Sequence, residues 1–182
     1  MPGSSRLVSW CDRCEEMTKG VLIVISGPSG TGKGTICARL CRQNSKLYYA
    51  ISLTTRSPRL GEKDGTDYFF STEENFRQLI QKGALLEWAY VYGHYYGTLY
   101  AQVEEKLRQG LDVVLEIDTQ GAEQVRHKTK EAVFIFLLPP SMEELWARIQ
   151  GRGTDSPEAI RQRFAAAYRE IEVACNYDYV VI

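Results

Sequence analysis

The feature that most constrains this fold is a glycine-rich turn between an apolar run and a predicted helix. The turn, Gly27-Pro28-Ser29-Gly30-Thr31-Gly32-Lys33, follows Val21-Leu22-Ile23-Val24-Ile25 and leads into a helix predicted at 33–42. Buried strand, glycine turn and helix, in that order, are the setting that the G-x-x-x-x-G-K phosphate loop requires. Glycines permit positive φ and leave no Cβ between backbone N–H groups and an anion, and the following helix N-terminus favours negative charge. We predict a polyphosphate site with Lys33 as its mobile charge; the alternative is an ordinary glycine-rich turn. The residues of the predicted site are Gly27, Pro28, Ser29, Gly30, Thr31, Gly32, Lys33, Gly34 and Thr35.

Position 34 departs from the general motif. The hydroxyl residue that usually helps to hold Mg²⁺ is replaced by Gly34, and Thr35 follows one place later. Thr35, water or the nucleotide itself would then hold the ion. The sequence leaves these three arrangements open, and we assign no residue as a metal ligand.

Apolar runs and amphipathic stretches alternate along the rest of the chain. Strand–helix alternation predicts an α/β fold with a mostly parallel sheet and helices on both faces. Capping patterns at Ser71, Ser141 and Ser156 indicate helix starts, and Gly83 and Gly110 indicate helix ends. Strands are predicted at 21–26, 49–53, 113–117, 133–138 and 179–182, and helices at 33–42, 72–81, 101–109, 121–127, 142–150 and 157–173.

Residues 54–98 interrupt this alternation. The interval is rich in tyrosine, arginine and glycine, with short β-like pieces at 68–70 and 85–92, and it is too long for a passive loop. We therefore predict one domain with a core of 20–53 and 99–182, a substrate-binding insertion of 54–98 and a lid at about 151–163.

The two ends of the chain differ from its centre. Residues 1–19 lack apolar periodicity and predict a disordered extension. Cys11 and Cys14 look like half of a zinc or redox motif, but no second Cys or His pair nearby completes it. Residues 178–182 have the pattern of a strand, and no closing helix follows it. We therefore expect a C-terminally truncated form.

The composition excludes several function classes. With 182 residues, 44% of them hydrophobic and 25% charged, the chain resembles one soluble globular domain, a monomer or a homodimer. A net charge of -1 argues against a bulk nucleic-acid binder. No apolar run approaches the roughly 20 residues of a membrane helix, and the N-terminus lacks a secretory signal. Five cysteines, an odd number, favour a reducing cytoplasm over a disulfide scaffold.

Arg56 and Arg59 frame a second predicted anion site. They lie three residues apart around a proline turn, so both guanidinium groups can fork onto one phosphate. Two solvated surface arginines are the alternative, which the polar residues of the insertion weaken. Tyrosine hydroxyls can hold phosphate, and a carboxylate can accept from the N1–H and amino group of guanine, whereas adenine has no N1–H to give. The further candidates are Tyr68, Tyr96 and Thr98, with Glu87 or Asp118 as the acid.

Two more segments point toward the same crevice. Glu116 and Asp118 end an apolar strand, whose carboxyl end faces the ligand crevice in open α/β sheets, and they alternate with Ile117. Arg152 lies between two glycines, and Arg163 follows further along the chain. A glycine-flanked arginine predicts a lid whose guanidinium closes over a transferred phosphoryl group, although an arginine on a helix usually faces solvent.

Together these motifs resemble guanylate kinase over roughly residues 20–182. The resemblance rests on S-G-P-S-G-T-G-K-G-T, S-L-T-T-R-S-P-R-L-G-E with D-Y-F-F, Y-Y-G-T, L-E-I-D-T-Q-G and G-R-G-T, in that order. It implies a P-loop nucleoside-monophosphate-kinase fold that transfers the γ-phosphoryl group of ATP to GMP, with Mg²⁺, in purine nucleotide metabolism. It also implies that the loop 27–35 binds ATP and that Lys33, Arg56, Arg152 and Arg163 act in the transfer. The residues implied for GMP are Ser52, Arg56, Arg59, Tyr68, Glu87, Tyr96, Thr98 and Asp118.

Two other function classes stay open. Some guanylate-kinase-like domains are scaffold modules that bind phosphopeptides and have lost catalysis, although the intact Lys33 and glycine loop argue against this. A related P-loop kinase of a sugar phosphate would keep the loop without the guanine-selecting acids.

Glu116 departs from the family pattern, because many members carry Asp at this position. The glutamate keeps the negative charge but places the carboxylate at a different distance from the backbone.

Overall fold

The fold is built on two sheets, in a computed structural model that describes residues 19–151 and 156–182. These described residues form nine strands, six α-helices and one 3₁₀ turn. In chain order the elements are β1 Leu22–Ser26, α1 Lys33–Gln43, β2 Leu47–Tyr49, β3 Leu53–Thr54, β4 Phe69–Phe70, α2 Glu73–Gln81, β5 Leu85–Val91, β6 His94–Leu99, α3 Tyr100–Arg108, β7 Asp112–Glu116, α4 Thr119–Lys128, β8 Val133–Leu137, α5 Met142–Gln150, α6 Pro157–Glu172, the 3₁₀ turn Val173–Asn176 and β9 Tyr179–Val181.

The larger sheet is parallel throughout, in the order β2-β7-β1-β8-β9. Successive side chains of a strand point to opposite faces. Leu22 and Val24 of β1 accordingly pack in one cluster with Val125 of α4, whereas Ile25 packs in another with Cys37 of α1. Helices therefore cover both faces, and the predicted α/β fold is confirmed.

Side-chain caps fix where several helices begin. Ser141 accepts from the N–H of Glu144, and Ser156 caps α6 ahead of Pro157, both as predicted. The predicted cap at Ser71 is wrong by one residue: Thr72 caps α2 and accepts from the N–H of the third residue after it. The spacing of Ser71 and Glu74 fits the capping box and predicts the earlier cap. The Thr72 hydroxyl, however, is the one that accepts from a free helical N–H, and it therefore caps the helix.

The smaller sheet has the order β4-β3-β6-β5, and its strands fall between Leu53 and Leu99. The single strand predicted at 49–53 is wrong. The chain leaves the larger sheet after Tyr49 and enters the smaller one at Leu53, so the apolar run divides between β2 and β3. Strand β6 was missed because its tyrosines and glycine hide the apolar alternation, yet it pairs antiparallel with β5.

Other predicted bounds differ from the observed ones by one or two residues, the usual uncertainty at element ends. Helix α4 begins at Thr119 rather than at 121, because Asp118 caps it. Within residues 19–151 and 156–182, no helix combines the length and the apolar character needed to span a bilayer. The predictions made for Cys11, Cys14 and the rest of residues 1–18 lie outside the described residues.

Candidate functional site

The glycine-rich loop joins β1 to α1, as the sequence predicts. Gly27, Gly30 and Gly32 have φ angles of 146°, 99° and 92°, which favour glycine. A Cβ at Gly27 would also lie 2.2 Å from the carbonyl oxygen of Leu137 on β8. Glycine is therefore required at this position both by the backbone angle and by the close approach of β8.

Lys33 reaches back over this loop. Its Nζ donates to the carbonyl oxygens of Gly27 at 2.7 Å and of Pro28 at 3.0 Å. Because Lys33 is also the first residue of α1, the ammonium lies close to the positive end of the helix dipole. Two sources of positive potential thus meet at the loop, where they favour an anion.

The space beside Gly34 is occupied by Glu116. A Cβ at Gly34 would lie 3.1 Å from one carboxylate oxygen of Glu116. The hydroxyl of Tyr49 on β2 donates to that same oxygen, and burial together with the Glu116 charge raises the pKa of Tyr49. Glu116 is therefore held at the loop where a side chain at position 34 would otherwise stand. The role of Tyr49 was missed, because β2 and β7 lie far apart in the chain and only sheet pairing brings them together.

One cleft of about 400 Å³ joins the loop to the smaller sheet. It brings together most of the predicted site residues from both anion sites. Arg56 and Thr98 contact residues that line it, and Arg152 lies outside the described residues. The predicted residues that line the cleft are Gly27, Ser29, Gly30, Gly32, Lys33, Gly34, Thr35, Ser52, Arg59, Tyr68, Glu87, Tyr96, Asp118 and Arg163.

Arg56 is held by Glu62, a residue that the sequence analysis did not assign. One guanidinium nitrogen of Arg56 donates to both carboxylate oxygens of Glu62, at 2.8 and 2.9 Å, and the N–H of Arg59 donates to Glu62 at 2.7 Å. Burial alone would raise the pKa of Glu62, but these hydrogen bonds hold it below the ordinary value. The Arg56 guanidinium also lies 5.4 Å from the ring centroid of Tyr68. Arg56 is thus a fixed, half-buried group rather than a solvated surface charge.

Glu87 is a buried acid that lines the cleft. It is only 3% exposed, and the hydroxyl of Thr98 donates to its Oε1 at 2.7 Å. Burial raises the pKa of Glu87 to about 7; the bond from Thr98 opposes this rise, and the charge of Asp118 adds to it. Glu87 therefore changes its charge near neutral pH.

Gly121 brings Glu87 and Asp118 into one corner. A Cβ there would lie 2.4 Å from Glu87 Oε2 and 3.4 Å from Asp118 Oδ1. Asp118 also caps α4, accepting from the N–H of Gly121 at 2.7 Å. Burial raises the pKa of Asp118, while that hydrogen bond and the charge of Lys33 oppose the rise. Glu87 on β5 and Asp118 at the start of α4 can converge here only because residue 121 has no side chain.

Helix α4 fastens the smaller sheet to the larger one. The side-chain amide of Gln124 donates to the carbonyl of Trp88 at 2.5 Å and accepts from its N–H at 3.1 Å. Lys128 donates to the carbonyl oxygens of Leu85 and Leu86. Because these contacts flank Glu87 along β5, they set the position of its carboxylate relative to the loop.

Arg163 reaches the loop from α6. Its Nη1 donates to the hydroxyl of Ser29 at 3.2 Å, and its guanidinium lies 4.8 Å from the ring centroid of Tyr92. Tyr92 and Glu170, which also line the cleft, were missed. Helical spacing could have indicated Glu170, which lies two turns beyond Arg163 on the same helix face. Among the described residues, no three His, Cys, Asp or Glu side chains converge to hold a metal ion.

Comparisons with known proteins agree on one family. A family model described as guanylate kinase matches residues 19–182. A guanylate kinase of Caldanaerobacter subterraneus subsp. tengcongensis is 57% identical over 164 residues, 90% of this chain and 80% of the relative. That of Shouchella clausii is 53% identical over 163 residues, with the same shares of each chain. A crystal structure of guanylate kinase from Anaplasma phagocytophilum matches with a TM-score of 0.73 at 33% identity, over 90% of this chain and 77% of that one.

Proposed function

The chain belongs to the guanylate kinase family, and from this premise we propose how its cleft performs the reaction. The enzyme is an ATP:GMP phosphotransferase, which transfers the γ-phosphoryl group of ATP to GMP and yields ADP and GDP. One observation carries the assignment of roles: the phosphate loop with Lys33 and the acid corner with Glu87 line the same cleft.

ATP is the donor, bound by the loop 27–35. Backbone N–H groups at the start of α1 and the Lys33 ammonium are the groups that favour its phosphates. Lys33 would exchange its two carbonyl partners on the loop for phosphate oxygens, which accept a stronger, charge-assisted hydrogen bond.

GMP is the acceptor, bound against the smaller sheet. Its phosphate is held by Arg56, Arg59, Tyr68 and Tyr96. Arg59 lines the cleft and would bind the phosphate directly, whereas Arg56 would bind it while Glu62 holds the guanidinium in place. The remaining proposed GMP residues are Ser52, Glu87, Thr98 and Asp118.

The acid corner selects the base. Ionised Glu87 accepts from the N1–H and amino group of guanine, and Asp118 lies beside it across Gly121. Adenine offers no N1–H, so a buried carboxylate would be left without a donor, and such unpaired buried groups disfavour binding strongly.

The rate of transfer depends mainly on the positioning of the two nucleotides and on stabilisation of the charge on the transferred group. The protein itself forms no covalent bond to the phosphoryl group. Arg163, at the loop through Ser29, is proposed to stabilise the charge that develops on the transferred group. Arg152 is proposed for the same task on the ground of its glycine-flanked motif alone.

We also propose that Mg²⁺ accompanies ATP. Thr35 and Glu116 are the oxygen-bearing side chains beside Gly34, and this sparse set suits an ion held mainly by phosphates and water, as Mg²⁺ prefers. When bound, the ion neutralises charge on the phosphate oxygens.

The proposed division into a core, a GMP-binding insertion of 54–98 and a lid near 151–163 is supported by the smaller sheet, whose strands fall between Leu53 and Leu99. A cytoplasmic location is proposed from the free thiols of Cys37, Cys41 and Cys175, which suit a reducing compartment.

An acceptor screen tests the function. Coupled ADP release is measured with GMP, AMP, CMP and UMP at equal concentrations, with Lys33→Ala as the inactive control. GMP should be phosphorylated far faster than the other three. Equal rates with AMP would contradict the role of the acid corner. Turnover of a sugar phosphate alone, or phosphopeptide binding without any turnover, would favour the other two function classes.

A further inference from the structure

The turn between β5 and β6 has an unexpected residue at its first position. It consists of Tyr92 and Gly93 alone, closed by the pairing of Val91 with His94. Their φ angles are 50° and 84°, the two positive values of a type I′ turn, which strongly prefers Asn-Gly. Tyr92 is the single non-glycine residue with positive φ among the described residues. A bulky side chain in this conformation is strained, and such strain persists where the surroundings or the function hold it.

The Tyr92 ring lies against a group that the reaction uses. The Arg163 guanidinium lies 4.8 Å from its centroid, within the range of a cation–π contact. The same guanidinium donates to the hydroxyl of Ser29 in the phosphate loop. A chain of contacts therefore joins three elements: Tyr92 in the β5–β6 turn, Arg163 on α6 and Ser29 after β1. All three residues line the cleft.

We propose that Tyr92 is a positioning residue for phosphoryl transfer, whose ring holds the Arg163 guanidinium at the phosphate loop. The inference rests on the proposed kinase function and on the role given there to Arg163. A long arginine side chain loses considerable rotamer freedom when it is fixed. The aromatic face supplies that restraint in advance, and the strained turn places the ring where asparagine would place only a short amide.

This role predicts opposite effects on stability and on rate. Tyr92→Asn puts the preferred residue into the turn, so Tm should rise by about 2–4 °C, as expected for relief of strain in a chain of this size. The same change removes the aromatic face, and kcat should fall about tenfold, in keeping with a partly desolvated cation–π contact. The KM values for ATP and GMP should stay within about twofold, because a transition-state interaction acts mainly on kcat.

Two matched variants separate the ring from other effects. Tyr92→Phe keeps the aromatic face and the strain, so both kcat and Tm should remain near those of the unmodified chain. Tyr100→Asn changes an exposed tyrosine at the start of α3, away from the cleft, and should leave kcat unchanged. In an Arg163→Ala background, Tyr92→Asn should alter kcat by less than twofold, because the group that the ring restrains is gone.

Steady-state kinetics and thermal melting of these variants decide the matter. An unchanged kcat in Tyr92→Asn, a fall in Tm together with kcat, or the same tenfold loss in the Arg163→Ala background would each overturn the inference. If the unmodified chain failed to phosphorylate GMP, the proposed function would fall, and the inference with it. An active unmodified chain with a fully active Tyr92→Asn variant would refute the inference alone.

Discussion

Replacing Thr98 with valine should move the pH dependence of GMP binding. The Thr98 hydroxyl donates to Glu87 at 2.7 Å, and Glu87 is only 3% exposed, so water does not readily replace the lost bond. Valine preserves the shape and the β-branching of threonine but cannot donate. The ionised carboxylate therefore loses a hydrogen bond that its protonated form needs less.

The structure sets the size of this effect. A hydrogen bond to a charged, buried acceptor contributes about 1.5–3 kcal/mol. Since a tenfold change in proton affinity corresponds to about 1.4 kcal/mol, the midpoint of Glu87 titration should rise by about one to two pH units. In the unmodified chain the pKa of Glu87 is about 7, so the variant should titrate clearly above neutral pH.

The assay is the KM for GMP measured from pH 5.5 to 9 at saturating ATP. Guanine donates to the ionised form, so GMP binding should strengthen as pH rises through about 7 in the unmodified chain and at a higher pH in Thr98→Val. Thr129→Val, at a partly exposed threonine after α4, serves as the control and should keep the original midpoint.

Thermal melting provides an independent check with its own sign. Because burial raises the pKa of Glu87 above the unfolded value, its ionisation opposes folding, and the stability due to this group falls as pH rises from the unfolded pKa toward 7. The variant should thus lose more stability at pH 8 than at pH 5. A higher KM at every pH with an unmoved midpoint would refute the reasoning, and would mean that Thr98 contacts GMP without tuning Glu87.

Two further predictions concern the two anion sites. Arg56→Lys and Arg59→Lys keep the charge but lose the guanidinium fork, so kcat/KM for GMP should fall roughly ten- to a hundredfold, while the KM for ATP moves much less. Initial rates with each nucleotide varied in turn measure this, and unchanged GMP kinetics would mean that neither guanidinium holds the GMP phosphate. Lys33→Ala should abolish most turnover and leave GMP binding nearly intact, because its ammonium donates to the carbonyl oxygens of Gly27 and Pro28 in the donor loop. Calorimetric titration with GMP checks this, and a folded variant that no longer binds GMP would disprove the separation of the two sites.

Local features of the fold could be predicted from the sequence. The phosphate loop was found because its glycines, Lys33 and the flanking strand and helix are neighbours in the chain, and the backbone angles at Gly27 and Gly32 follow from that local pattern. Helix starts at Ser141 and Ser156 were found for the same reason, since a cap and its N–H partner lie three residues apart. The strand predicted at 49–53 failed because apolar periodicity does not indicate to which sheet a strand belongs.

The electrostatic state of the cleft was decided by tertiary structure. The burial of Glu87 and its proximity to Asp118 depend on two tertiary features. Helix α4 docks against β5 through Gln124, and Gly121 has no side chain between the two carboxylates. Burial and neighbouring charges shift a pKa, and both arise from residues distant in the chain.

The sequence by itself determined the fold class, the phosphate loop and the types of residue available to hold two nucleotides. These features depend on the spacing of residues close together in the chain and on recognisable motifs. Tertiary structure alone decided that Glu62 holds Arg56, that Glu116 fills the space beside Gly34, and that Tyr92 lies against Arg163. Each of these contacts joins residues whose separation in space depends on how loops fold back and how the two sheets and α6 pack. A periodic pattern along the chain carries no information on that packing.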